Sequence, residues 1–113
     1  MSLFDQVNTA DNSNEDVAKE KHLPVVSVKK LADKRFEVNI DVGGGKHPNE
    51  IDHWIQWAGV RVNECFIGRA EFSAKIMEPV CTFIVTPENL PANLSVLARC
   101  NKHGLWRSDC TLA

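Results

Sequence analysis

No stretch of this chain is apolar for long enough to cross a bilayer, which takes about 20 consecutive apolar residues in a helix; its apolar runs break off far sooner. The opening MSLFDQVNTA lacks a basic segment followed by an apolar one, so no secretory leader is expected and the expected location is cytoplasmic. Charge of one sign is scarce as well, with 13 Lys and Arg against 15 Asp and Glu. Residues 1–20 hold five of the acids against the single base Lys19, leaving 12 bases and 10 acids on the other 93 residues. That surplus is too small for the clustered Lys and Arg that a phosphate backbone requires, so nucleic acid is not an expected partner, whereas a small anion is still open. Helical periodicity is missing too. No stretch of ten or more residues after position 20 repeats every 3.6, which removes the crossover helices a parallel sheet needs. Cysteine is sparse, at Cys65, Cys81, Cys100 and Cys110, and without a leader these read as reduced thiols or a metal site before a disulfide framework.

What is present is an ordinary globular composition, 43% hydrophobic and 25% charged over 113 residues, enough for one domain with a modest core. Residues 1–19 are polar and acidic without apolar spacing and read as a flexible arm or at most a short helix; residues 20–113 read as the folded domain. Phe36, Val38, Ile40 and Val42 alternate with Glu37, Asn39 and Asp41, the signature of a half-buried strand. Similar runs occur at Leu23–Val28, Trp54–Val62, Phe66–Ala74, Val80–Val85 and Leu94–Cys100, with a short last one at Cys110–Leu112. They are separated by Gly43-Gly44-Gly45, by the turn around Asn63, by Glu78-Pro79 and by the two-proline stretch Pro87–Asn93. About seven short strands with such punctuation predict an all-β, immunoglobulin-like antiparallel sandwich.

The chain has four histidines, His22, His47, His53 and His103, each beside a strand end or within a loop. Cys100-Asn101-Lys102-His103 offers a thiolate and an imidazole from one short turn. His47 and His53 lie on the loop HPNEIDH, where five intervening residues let both rings converge, and His22 opens the first strand directly after Glu20-Lys21. Up to four nitrogens and one sulfur exceed the tetrahedral set of a structural zinc site and suit a higher-coordinate redox metal better. Two other readings stay open at this point. A blue-copper-like electron-transfer module would use His47, Cys100 and His103, but Met77 is the final methionine, so its usual axial ligand is missing. A structural zinc sandwich would use the same residues. Neither accounts for Glu20-Lys21 or for all four histidines.

Glu20-Lys21-His22-Leu23-Pro24-Val25-Val26, Lys46-His47-Pro48 followed by His53-Trp54-Ile55, and Cys100-Asn101-Lys102-His103-Gly104-Leu105-Trp106 together resemble the superoxide reductases of the one-iron, neelaredoxin type, related to the iron-binding domain of desulfoferrodoxin. The likeness covers about residues 20–113. It implies one iron per chain held by His22, His47, His53 and His103 in a plane with the Cys100 thiolate as axial ligand. It further implies that Glu20 closes the sixth position in the ferric form and that Lys21 draws superoxide in and helps peroxide leave. The implied reaction reduces superoxide to hydrogen peroxide with one electron from rubredoxin or a similar small redox protein, and the implied assembly is a homotetramer or homodimer. No Cys-x-x-Cys occurs, so the second, rubredoxin-like iron site of two-iron members is absent.

Lys46 and Lys102 also directly precede a ligand candidate, so each is a candidate for steering an anion inward. The triglycine followed by Lys46 lacks the rest of a phosphate-loop pattern and reads as a loop. Trp54, Trp57 and Trp106 are expected as core or site-wall aromatics, and Cys65, Cys81 and Cys110 as buried thiols.

Overall fold

Alternation of Phe36, Val38, Ile40 and Val42 produces a strand whose inward residues are 0–2% exposed, and this strand is the centre of one of two facing sheets. The computed structural model describes Thr9 and residues 22–113; the arm expected at residues 1–19, together with Glu20 and Lys21, otherwise lies outside the described residues. Seven strands follow in order: β1 (Pro24–Ala32), β2 (Arg35–Val42), β3 (Ile55–Val62), β4 (Cys65–Glu71), β5 (Val80–Val85), β6 (Ala92–Cys100) and β7 (Gly104–Leu112). They form a three-stranded sheet β1-β2-β5 and a four-stranded sheet β4-β3-β6-β7, every pairing antiparallel. This is the expected immunoglobulin-like sandwich. Among the described residues no helix is long and apolar enough to cross a membrane.

The core lies between the sheets. Val38 and Ile40 of β2 meet Ala58 and Val60 of β3 and Leu94 and Val96 of β6, all at most 1% exposed. Each fully buried valine, leucine or isoleucine stabilises the fold by about 1.5–3 kcal/mol relative to exposure. On the outer face of β3, Gly59 leaves room for neighbours: a Cβ there would stand 2.7 Å from the Phe66 ring and 3.0 Å from Arg69 Cβ. Those two side chains lie with Trp57, whose ring takes the Arg69 guanidinium at 4.9 Å. Trp57 is therefore an outer-face residue, neither core nor site wall, because the β3 register turns it away from the facing sheet.

Strand lengths depart from expectation at three places. β1 continues to Ala32 through Lys29 and Lys30, an exposed edge strand whose charges discourage pairing with other chains. β4 stops at Glu71, ahead of a turn over Ser73–Met77 in which Lys75 has φ +68°. β7 runs nine residues from Gly104, where only its end was expected. Cys65 is exposed rather than buried, since it starts β4 straight after the turn at Asn63 and Glu64, both of positive φ. Cys81 and Cys110 are half-buried, packed against the core.

Candidate metal centre

Antiparallel pairing brings five distant residues to one end of the sandwich. Pro24 pairs with Val42, so His22, before β1, and His47, beyond β2, leave the three-stranded sheet at the same end. Ile55 pairs with Cys100 and Cys100 with Gly104, so His53, Cys100 and His103 gather at the matching end of the other sheet. The triglycine is a short 3-10 turn at Gly43–Gly45 that doubles the chain back, with Gly43 N–H donating to the Leu23 carbonyl at 2.9 Å and so setting the approach to His47 beside His22. Reversal of the next segment comes from a two-way bridge, Glu50 N–H to His53 O at 2.8 Å and His53 N–H to Glu50 O at 3.1 Å, which returns His53 toward His47.

The four imidazoles close a ring. Successive centroids lie 4.6 Å apart for His22–His47, 4.9 Å for His47–His53, 5.2 Å for His53–His103 and 4.8 Å for His103–His22. The His22–His53 diagonal, 6.4 Å, exceeds every side, as in a slightly folded square. Each neighbouring pair meets edge to face at 71–90°, leaving room for nitrogens to point at a common centre. His22 Nε2 and His103 Nδ1 are 3.0 Å apart. Ligand atoms of His22, His47, His53 and Cys100 all lie within 4.8 Å of one another. Two metal–nitrogen bonds of about 2.1 Å at a right angle span about 3 Å, and two in line span about 4.2 Å, so the four donors need draw in by only about half an ångström to share one transition-metal ion. Imidazole nitrogens with one sulfur are also the donors a borderline or soft metal selects over calcium or magnesium.

Burial is graded across the cluster: Cys100 is 0% exposed, His22 1% and His47 8%, while His53 and His103 are half-buried. Cys100 and His22 therefore stand on the inner side of the cluster, and His53 and His103 on the side nearer solvent. A cavity of about 100 Å³ lined by His47, Asn49 and Glu78 reaches the cluster from the β2 side. Another of about 340 Å³, lined by Glu64, Ser95, Asp109 and Thr111, opens at the other end of β6 and β7 and touches none of these residues. Lys46 and Lys102 are exposed.

Several neighbours fix the rings. His47 Nδ1 lies 2.6 Å from the Pro48 carbonyl, which only accepts, so Nδ1 carries the hydrogen and Nε2 keeps the lone pair a metal requires. Trp106, 1% exposed, stacks on His22 at 4.6 Å and 10° and donates from Nε1 to the His103 carbonyl at 3.2 Å. Trp54 caps the end of β3, its Nε1–H on the Phe72 carbonyl at 3.2 Å. Ser108 Oγ donates to the Pro24 carbonyl at 2.7 Å, joining β7 to the segment that carries His22. Asn49 donates to the Met77 carbonyl at 3.0 Å and accepts from Lys75 N–H at 2.8 Å, tying the His47–His53 loop to the 73–77 turn. Sequence reading places Trp106 at a site wall but not in contact with two ligands, and it misses Ser108 and Asn49. The only available signal for Asn49 is its place inside HPNEIDH.

Residues 14–109 match the desulfoferrodoxin family. Among curated relatives, the superoxide reductase of Thermococcus kodakarensis is 32% identical over 105 residues, covering 82% of this chain and 88% of the relative. The desulfoferrodoxin of Syntrophotalea carbinolica is 33% identical over 103 residues, 91% of this chain and 73% of the relative. Among solved structures, the superoxide reductase (neelaredoxin) from Ignicoccus hospitalis superposes with a TM-score of 0.85 at 28% identity, over 99% of this chain and 98% of that one. The neelaredoxin from Archaeoglobus fulgidus in the reduced form does so with a TM-score of 0.75 at 32% identity, over 95% and 98%. With a family match along most of its length, relatives above 30% identity, a shared two-sheet architecture, and His22, His47, His53 and Cys100 gathered within 4.8 Å with His103 against His22 and His53, this chain belongs to the desulfoferrodoxin family and is of the neelaredoxin type.

Proposed function

We propose that this protein is a superoxide reductase in which His22, His47, His53, His103 and Cys100 hold one iron per chain. The observation that carries the reading is the closed ring of four imidazoles gathered with a fully buried thiol at one end of the sandwich. When bound, iron supplies one electron to superoxide, which with two protons leaves as hydrogen peroxide without formation of oxygen; a small redox protein such as rubredoxin then restores the electron.

The residues of the chain set the terms of that chemistry. Four neutral imidazoles and one thiolate cancel only one of the two charges of a ferrous ion, so they leave a net positive centre that attracts an anion. Cys100 would bind the ion as a thiolate and, as the strongest electron donor of the set, would favour reduction of what arrives there. Four imidazole nitrogens and one sulfur would leave a six-coordinate ion one position for substrate, the vacancy a catalytic metal site needs. Glu20 and Lys21, immediately before His22 in sequence, take their proposed roles from the family: Glu20 as the ligand of the ferric form, Lys21 as the cation that brings superoxide in and assists release of peroxide. Lys46 and Lys102, exposed beside His47 and His103, add positive charge near the mouth. We assign residues 20–113 as the working domain, a cytoplasmic location, and assembly as a homotetramer or homodimer.

Elemental mass spectrometry on protein from iron-supplied cells, followed by pulse radiolysis of the reduced protein, tests the assignment. About one iron per chain and peroxide as the product support it; zinc or copper in its place, or no reaction with superoxide, overturns it. Lys21→Ala is expected to slow the encounter with superoxide by about tenfold at low ionic strength and to flatten its dependence on salt, since one guiding charge is gone. An unchanged rate and salt slope would remove that role from Lys21.

A further inference from the structure

Three hydrogen bonds from one residue outside the ligand set enclose His53 from both sides. Asn101 accepts at Oδ1 from Trp54 N–H at 2.9 Å and donates from Nδ2 to the Asp52 carbonyl at 2.9 Å. Its own backbone N–H donates to the Trp54 carbonyl at 3.2 Å. The peptide groups before and after His53 are thus fastened to the turn that carries Cys100 and His103. We propose that Asn101 is the positioning residue of this site, holding His53 in register with Cys100 and His103 so that donors from two separate loops share one ion; this rests on the ligand set proposed above.

Physical chemistry favours the assignment. His53 sits past a two-residue tip at Ile51 and Asp52, both exposed, and the Glu50–His53 bridge ties it only to its own loop. Asn49 fastens the far end of that loop to the 73–77 turn, which carries no ligand. Asn101 alone among these contacts joins the loop directly to another ligand-bearing segment. An asparagine suits the task because one planar amide offers an acceptor and a donor side by side. Partners of this kind, one step beyond the ligands, change metal affinity or activity by about 10–100-fold when removed.

The fold supplies its own control. At the opposite end of the β3–β6 pair, Asn63 Oδ1 accepts from Asn93 N–H at 2.9 Å while Asn63 N–H donates to the Asn93 carbonyl at 2.8 Å. This closes the same two strands with the same chemistry, and the full length of β3, about 23 Å at 3.3 Å per residue, separates it from the histidine end. Since Asn63 has φ +48°, alanine there also strains the backbone, so that variant loses at least as much fold stability as one at Asn101.

Asn101→Ala and Asn63→Ala would be compared with the unmodified chain by chelator competition for bound iron, by visible absorption of the oxidised protein, and by thermal unfolding and Trp54 amide exchange of the metal-free protein. Both substitutions are expected to lower the unfolding temperature. Only Asn101→Ala should release iron about 10–100-fold more readily, shift the visible band and speed Trp54 exchange. Equal iron retention and identical bands for the two variants would overturn the proposal. Should Asn101→Ala fail to fold, the isosteric Asn101→Asp, which keeps the acceptor for Trp54 N–H and loses the donor to Asp52, carries the same comparison. Repeating the competition with zinc separates the two claims. Weaker zinc binding in Asn101→Ala beside an unmodified protein inert toward superoxide sinks the activity and sustains the clamp. An active unmodified protein with unchanged zinc and iron binding in Asn101→Ala does the reverse.

Discussion

Cys100→Ser is expected to lower the rate of superoxide reduction by at least about 100-fold and to remove the visible absorption of the oxidised protein, while the chain stays folded. Serine keeps the shape, and the β6 ladders to Ile55 and Gly104 hold its backbone, so oxygen stands where sulfur stood. A serine hydroxyl stays protonated at neutral pH and offers a hard, neutral donor in place of a soft anion. On the proposed mechanism the charge at the centre would then rise, but the thiolate's electron donation, which would favour reduction of superoxide, would be lost. A hydroxyl is more costly to bury than a thiol in a fully buried position, which circular dichroism would register as earlier melting of an intact sandwich. Cys81→Ser and Cys110→Ser provide the contrast. Burial pushes the Cys81 thiol up to about 11, and burial followed by the nearby Asp109 charge raises that of Cys110, so neither is a thiolate at neutral pH. They sit opposite Ile40 and Leu94 along the ladders, away from the histidines, and both variants should reduce superoxide at the unmodified rate. Pulse radiolysis giving Cys100→Ser a rate within tenfold of the unmodified protein would remove the thiolate from the mechanism.

The same ladders explain which features can be read from sequence. β2 is legible because one of its faces is wholly buried, so apolar residues recur at every second position without interruption. β7 has the same geometry, with Trp106, Ser108, Cys110 and Leu112 on its inward face, but Ser108 breaks the apolar period. That serine is polar because it reaches across to the Pro24 carbonyl, a need created by the packing of β7 against β1 and invisible in a local window. Ligand candidates are legible for a different reason: imidazole and thiol are scarce, and four histidines with one Cys-x-x-His turn leave few ways to be distributed. How they are held is not. Asn101 and Asn49 act on the backbone of Asp52, Trp54, Lys75 and Met77, and those atoms come within reach only after the two sheets face each other. A sequence names side chains, whereas half of each of these bonds belongs to a peptide group that any residue would supply.

Trp106 is where the fold and the site share one side chain, and Trp106→Ala is expected to cost about 3–5 kcal/mol by opening a buried cavity under His22. For a body of this size that corresponds to a fall in unfolding temperature of about 15–30 °C, among the largest a single substitution here should produce. Stability alone would not implicate the metal site, so Trp106→Phe is the sharper variant. It retains an aromatic face for His22 but deletes the Nε1–H that holds the His103 carbonyl, costing the fold only about 1 kcal/mol. Its turn from Cys100 to His103 then loses a tether next to a ligand, and iron should leave about tenfold more readily under chelator competition. Val60→Ala, in the middle of the core and remote from every histidine, should lose stability without changing iron retention. If Trp106→Phe held iron as tightly as the unmodified chain, Trp106 would be a packing residue alone and the His103 carbonyl bond incidental. If Val60→Ala released iron in proportion to its lost stability, retention would report global unfolding, and the ring of histidines would owe its geometry to the sandwich as a whole rather than to the residues that touch it.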